Sequence, residues 1–332
     1  MKTKDLKNLL VKLLRNAGKD DQMFSSINGE VGITSVFKVG TTPVRTCVRS
    51  KVDLGVNFTI PAPDFKRFVT NWEKMGKEIT FFEQGDEVFV TIDNISPFSF
   101  WSKFENILFP MLIIPTTEAH PIPEGAEELK KILPKDDPHF ALNHWYISGG
   151  SGWATDGFGI LIYKREESLE KAIAIPSFIN PKDFTNAYEE KECLLLVGDR
   201  IQVEYYDGQE RTHFYEDALR KFYNSLPSPQ ASVEIASNIP TVGTMVTFKF
   251  LEGKLTISTQ DGKTGKEVSP YDVPMNFAST GNLPEKLALS PKFLDTGLQL
   301  IGPKFSCFTN PKLPAVFENS HYTYVVMPMH LD

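Results

Sequence analysis

The residue types that could carry catalysis are all present in this 332-residue chain, but their spacing does not assemble a site. Six histidines are scattered as His120, His139, His144, His213, His321 and His330. His139 and His144 stand closest to a ligand pair, yet no third ligand accompanies them. The segment Asp261-Gly-Lys-Thr-Gly-Lys266 carries the Gly-Lys-Thr of a phosphate loop, but Ile257 occupies the place of that loop's first glycine, so it reads as a polar turn. Gly149-Gly-Ser-Gly152 lacks dinucleotide-loop spacing and reads as a flexible hairpin turn. The acidic pairs Asp136-Asp137 and Glu189-Glu190 sit in polar runs where solvation is the ordinary explanation. Cys47, Cys193 and Cys307 are far apart, odd in number and without CxxC spacing, so buried reduced thiols are expected. No nucleophile, base and orienting group fall together. A non-catalytic chain without metal or cofactor is expected.

Chemistry being thin, the elements that could build a binding surface matter more. Hydrophobic residues make up 41% of the chain and charged residues 23%, enough apolar material for several modest cores. The net charge of −7 disfavours a wholly basic, nucleic-acid-coated exterior, but leaves room for positive charge gathered on one surface. The N-terminus runs straight into an amphipathic pattern without a secretory apolar region. The most apolar run, Ile107 to Ile114, is far too short to span a bilayer. A cytoplasmic protein with no membrane partner is expected.

Self-comparison finds a threefold repeat. Thr59-Ile-Pro-Ala-Pro-Asp-Phe65, Ala174-Ile-Pro-Ser-Phe-Ile-Asn-Pro-Lys-Asp-Phe184 and Leu287-Ala-Leu-Ser-Pro-Lys-Phe-Leu294 each read as a strand end, a proline and a helix start. Pro63, Pro181 and Pro291 fall 118 and 110 residues apart. Proline suits a first helical turn, where its missing N–H is not needed. The stripes that follow predict amphipathic helices through Phe65, Phe68, Val69 and Trp72, through Phe184, Ala187 and Tyr188, and through Phe293, Leu294, Gly297, Leu298 and Ile301. Asp5 to Leu10 and Glu128 to Leu133 predict an opening helix in the first two copies, and Ser232 to Ile239 a weaker third. Alternating segments predict hairpins at Glu78–Ile92, Leu194–Tyr205 and Phe248–Ser258. Proline-rich stretches divide the chain at 1–120, 121–228 and 229–332. The fold class is α+β: helices on antiparallel sheets, three times over.

The C-terminal stretch Tyr324-Val-Val-Met-Pro-Met-His-Leu331 resembles the last strand of the bacterial sliding clamp, the β subunit of DNA polymerase III. That family usually has Arg where this chain has His330, and ends before Asp332. Trp153-Ala-Thr-Asp-Gly-Phe-Gly-Ile160 is similar to its Ala-Thr-Asp-Gly-His-Arg-Leu stretch, with Phe158 and Gly159 in place of His and Arg. Leu142-Asn143, Thr59 to Ala62 and Leu289 to Leu294 also resemble family segments, so the likeness covers nearly the whole chain in patches.

The resemblance implies three clamp domains, a homodimeric ring around duplex DNA, and docking of the replicative polymerase and clamp loader as peptides. It implies a peptide pocket built from Leu142, Thr155, Gly157, Phe158 and Ile160 on one wall and Val325, Val326, Met327, Pro328 and Met329 on the other. Methionine is a good filler for varied ligands, and Pro328 removes a donor from the chain edge. Sequence-independent phosphate contacts are implied for Lys7, Lys12, Arg15, Lys66, Arg67, Lys74, Lys130, Lys131, Lys135, Lys182 and Lys292 on the repeated helices. Phe98 and Phe100, in Pro97 to Trp101, are the implied apolar contacts of the dimer interface. A clamp-fold scaffold without a replicative role is the alternative.

Overall fold

The structure is a computed structural model that describes residues 1–39, 41–93, 97–102, 113–134, 137–148, 150–163, 172–207, 221–229, 231–234, 243–251, 254–260, 264, 266–273 and 283–329. Two strand meanders recur in each of three runs, with a helix before both meanders in the first run, before only the first meander in the second, and, among the described residues, before only the second meander in the third. First come α1 (Thr3–Arg15), the meander β1 (Met23–Ile27), β2 (Glu30–Val39) and β3 (Thr42–Ser50), then β4 (Phe58–Pro61) and α2 (Ala62–Met75), then the meander β5 (Ile79–Gln84), β6 (Glu87–Ile92) and β7 (Phe98–Ser102). Next come β8 (His120–Pro121), α3 (Ala126–Ile132), the meander β9 (His144–Ser148), β10 (Ser151–Thr155) and β11 (Gly159–Tyr163), then β12 (Ile173–Pro176) and the meander β13 (Asn186–Glu189), β14 (Leu194–Val197) and β15 (Gln202–Tyr206). The last run holds β16 (Ala231–Glu234), the meander β17 (Met245–Leu251), β18 (Lys254–Gln260) and β19 (Glu267–Val273), β20 (Lys286–Leu289), α4 (Pro291–Leu300), and the meander β21 (Lys304–Cys307), β22 (Ala315–Glu318) and β23 (Tyr322–Val326).

The chain forms two compact units. The first comprises Met1–Ile122, Lys135–Asn143 and Ile173–Thr212; the second comprises Pro123–Pro134, His144–Ala172 and His213–Asp332.

In the first unit, α1 buries Leu6, Leu10 and Leu13 at helical spacing and α2 buries Phe65, Val69 and Trp72. Both helices carry an acid in the first turn and a base in the last, matching the helix dipole. One sheet runs β4-β1-β2-β3-β15-β14-β13-β8 and a second runs β5-β6-β7. The antiparallel seam β3–β15 joins strands more than 150 residues apart in sequence, with Val48 opposite Val203 and Cys47 opposite Glu204. The ion pair between Arg49 and Glu204, with side chains 1% and 0% exposed, lies at this seam. An aromatic core fills the space under α2: Phe24 stacks on Phe65 at 4.1 Å, and Phe100 meets Phe58 at 5.4 Å and Trp72 at 5.2 Å. Cys47 is buried here, and burial pushes its thiol up to about 11, so it is inert at neutral pH.

In the second unit, β9, β10, β11, β23, β22, β21 and β16 are neighbours in that order, and another sheet runs β19-β18-β17-β20. α3 lies on β10 and β11, and α4 on β23. The seam β11–β23 has the form of β3–β15: the third strand of one meander beside the third strand of another.

Two predicted helices are overturned. The stretch opened by Pro181 makes only a short 3-10 turn, Pro181–Asp183, before β13. Phe184 is extended (φ −130°, ψ 150°), and the Thr185 N–H donates to the Val197 carbonyl at 2.9 Å. The cause is tertiary. Arg15 Nε and Asn16 Nδ2 at the end of α1 donate to Asp183 Oδ2 at 2.6 and 2.8 Å, so the turn serves as a receptor for α1. The helix expected from Ser232 begins instead as strand β16, which pairs Val233 with Phe305; residues 235–239 lie outside the described residues. The three hairpins form as predicted. No helix among the described residues is long and apolar enough to cross a membrane.

Candidate functional site

The second unit holds a buried apolar cluster flanked by the exposed Phe158, Met327 and Met329. Strand alternation places Ile160, Val325 and Val316 side by side across β11, β23 and β22, where they pack with Phe308. Ile162, Leu313, Phe222, Tyr223 and Leu226 lie against them half-buried, leaving an apolar face that stays partly open. Phe222 and Tyr223 lie in a short helical stretch at 221–225 and Leu226 directly follows it; the sequence reading did not assign these residues to the site. Their i, i+1, i+4 spacing just before Pro227 was the available signal.

The turn between β10 and β11 forms one rim. Asp156 Oδ1 accepts the Phe158 and Gly159 N–H groups at 3.1 and 2.9 Å. Thr155 Oγ1 donates to the Gly159 carbonyl at 2.8 Å and accepts the Gly157 N–H at 3.0 Å. Gly157 has φ +89°, a conformation that favours glycine. Gly159 answers a different demand: a Cβ there would meet the Tyr324 hydroxyl at 2.9 Å. Tyr324 is buried, and burial, then the Asp156 charge, holds its phenol well above the ordinary range. The turn ends with Phe158 raised to 63% exposure and stacked on Phe293 at 5.9 Å.

The chain beyond β23 forms the other rim. The Met327 N–H donates to the Phe158 carbonyl at 2.9 Å, and the Met329 N–H to the Ala288 carbonyl at 2.8 Å. Met327 and Met329 are exposed and Pro328 between them is half-buried. The structure thus brings together Thr155, Gly157, Phe158, Ile160, Val325, Met327, Pro328 and Met329. It turns Val326 to the opposite, fully buried face with Tyr324. Leu142 lies buried in a 3-10 turn of the first compact unit. His330 to Asp332 lie outside the described residues.

Several of the basic residues are engaged in ion pairs. Lys12, Lys66 and Lys74 are exposed on α1 and α2 and form no ion pair among the described residues. Lys7 pairs with Glu73, tying α1 to α2. Arg15 is committed to Asp183, Arg67 to Asp64 at 3.2 Å, and Lys131 to Glu128. Lys182 is exposed and Lys130 half-buried. Lys292 sits at the pocket rim, 3.7 Å from Asp156 Oδ2 and 5.2 Å from the Phe293 ring. Lys135 lies outside the described residues. Phe98 and Phe100 are both half-buried, with exposed Ser99 between them, on β7, the terminal strand of its sheet among the described strands; Phe100 also meets the rings of the aromatic core.

Repeated helices on antiparallel meanders, joined edge to edge, define a clamp-type α+β fold. The fold is that of the bacterial sliding clamp, the β subunit of DNA polymerase III. The chain is similar over 100% of its length to the sliding clamp of Pseudomonas aeruginosa solved with a ligand (TM-score 0.72, 14% identity, 99% of that chain). It matches the β subunit of Thermotoga maritima equally (TM-score 0.72, 15% identity, 100% of this chain and 99% of that one). It also matches the Helicobacter pylori β clamp bound to a DNA ligase peptide (TM-score 0.68, 14% identity, 100% and 99%). No family model and no curated protein sequence matches the chain.

Proposed function

We propose that this chain is a DNA sliding clamp, a processivity factor that closes into a ring of two copies around duplex DNA. The observation that carries the reading is the pattern of seams. β3 and β11 end the first meander of their repeats, and each is paired with β15 or β23, which ends a second meander. Two such strands remain at sheet ends among the described strands: β19, ending a first meander, and β7, ending a second. They are the two halves of one further seam of the same kind, which a second copy can complete at both ends. Unpaired edges of this sort are a liability unless covered. The division 1–120, 121–228 and 229–332 then describes three domains, each carrying one meander of either type.

Lys12, Lys66 and Lys74, with Lys182 and Lys130, would meet phosphates without reading bases, as weak salt-screened contacts that allow sliding. The Ile160–Val325–Val316 face between the Phe158 and Met327–Met329 rims would receive peptides of the replicative polymerase and clamp loader. It combines a small apolar floor with few polar groups, as peptide anchors require. The H. pylori clamp, bound to a DNA ligase peptide, makes this kind of partner reasonable. No catalytic role is assigned.

The test is retention on DNA. The protein, loaded onto nicked circular DNA by a cognate loader, should stay bound and be lost when the circle is linearised. Its solution mass should be that of two chains. A stable monomer at micromolar concentration, with equal loss from circles and lines, would overturn the ring. Reversing Lys12, Lys66 and Lys74 to Glu should shorten retention and flatten its salt dependence; unchanged retention would favour the scaffold alternative.

A further inference from the structure

We propose that a cavity at the Ser50 end of the β3–β15 seam is a separate docking site, for a short peptide that carries an acidic residue beside an apolar one. The cavity lies within the first unit, away from the groove of the second, so its failure would leave the clamp reading untouched. Its volume is about 570 Å³, within the range of ligand pockets. Three segments wall it: the chain leaving β3 at 50–52, the β14–β15 turn at 198–201, and the stretch 113–115. They are tied to one another. Ser50 Oγ donates to the Arg200 carbonyl at 2.6 Å, the Gly198 N–H to the Ile201 carbonyl at 2.9 Å, and Gln202 Nε2 to the Ile113 carbonyl at 2.8 Å. A site already held in shape loses little freedom when a ligand enters.

The lining joins apolar surface to positive charge. Val52, Ile113, Pro115 and Val197 are half-buried along it, and Ile114, at 77% exposure, is the most exposed large apolar side chain among the described residues. An apolar partner that covered Ile114 would remove that surface from water. Arg49, beneath, is committed to Glu204, but Lys51 and Arg200 stand exposed at the rim. The one acid of the lining, Asp199, is 3.6 Å from Arg200, and both side chains remain largely in solvent. Two cations against one acid favour a carboxylate in the occupant. Gln202 points to a peptide rather than a bare anion. It is 8% exposed; with Nε2 engaged by Ile113, its buried Oε1 accepts no hydrogen bond among the described residues. A peptide brings backbone N–H donors to such an acceptor, whereas a carboxylate ion brings none.

The experiment pans a random decapeptide display library over the full-length protein, Ile114→Asp, and the double variant Lys51→Gln/Arg200→Gln. All three side chains are exposed, and thermal melts confirm that each variant is folded. Wild type should enrich peptides with Asp or Glu next to an apolar residue, and Ile114→Asp should lose them. The strongest should bind the double variant roughly 2- to 30-fold more weakly, the combined effect of two exposed ion pairs. A copy with the acid replaced by its amide should bind wild type and double variant alike. Absence of any Ile114-dependent enrichment, or Ile114-dependent peptides without an acid, overturns the proposal. Acidic peptides that survive Ile114→Asp and are displaced by millimolar inorganic phosphate overturn it as well, leaving a plain anion site.

Discussion

Replacing Arg49 by Met should be among the most damaging single changes in the first unit. Arg49 and Glu204 are 1% and 0% exposed, and their ion pair spans the β3–β15 seam at 2.5 Å. The second Glu204 oxygen accepts the Tyr206 hydroxyl at 2.9 Å, and Arg45 lies 4.4 Å from the Tyr206 ring. Removing Arg49 strips one carboxylate oxygen of its charged partner without giving it water. Breaking a buried pair in this way costs about 3–5 kcal/mol. With denaturant slopes of about 1–3 kcal/mol per molar urea, the unfolding midpoint should fall by roughly 1–5 M. The pH dependence carries a sign. Burial raises the Glu204 pKa, opposed by Arg49 and Tyr206. A carboxyl with a raised folded-state pKa stabilises below its unfolded pKa and loses that contribution as pH rises through the folded value. Without Arg49 the value rises further, so the deficit of Arg49→Met should be smaller at pH 5 than at pH 8. The double variant Arg49→Met/Glu204→Leu should recover most of the loss. A loss below about 1 kcal/mol, or a deficit that grows on acidification, would falsify the reasoning.

Other substitutions probe the remaining features. Gly159→Ala should destabilise by about 1–3 kcal/mol, because its Cβ would lie 2.9 Å from the Tyr324 hydroxyl; a thermal melt matching wild type would contradict this. Asp183→Ala should cost about 1–3 kcal/mol by removing the carboxylate that accepts from Arg15 and from the buried Asn16 amide, which keeps only the Lys12 carbonyl, and amide exchange at the end of α1 should quicken. Phe100→Ala should cost about 3–5 kcal/mol if the ring belongs to the aromatic core, read from urea melts; a small stability loss with a large loss of dimer mass would instead assign it to the interface.

Much of the fold was legible where local pattern and tertiary structure agree. Pro63 and Pro291 do open helices, because their stripes, Phe65–Val69–Trp72 and Leu294–Gly297, bury as a unit. Pro181 misled because the competing interaction is distant: Asp183 is claimed by Arg15 and Asn16, more than 160 residues earlier. Ser232 misled because pairing with β21 outweighs helical propensity. In the pocket, Thr155 to Ile160 and Val325 to Met329 could be named from sequence, but the direction of each side chain could not. Val326 shows this, since one step along β23 turns it to the opposite face. The Arg49–Glu204 pair was invisible for want of any local sign that β3 adjoins β15.

One position in the second sheet has a consequence for how the chain is made. β23 is synthesised after every other strand described, yet it lies between β11 and β22, opposing Val325 to Ile160 and Val316. Until it leaves the ribosome, β11 and β22 each present an open edge, and Ile160 must wait for a neighbour 165 residues downstream. The second unit therefore cannot complete that sheet during translation; its closure is a late, long-range event of the slow kind. Nascent chains stopped short of Tyr322 would carry two adhesive edges, making them substrates for chaperones or for aggregation.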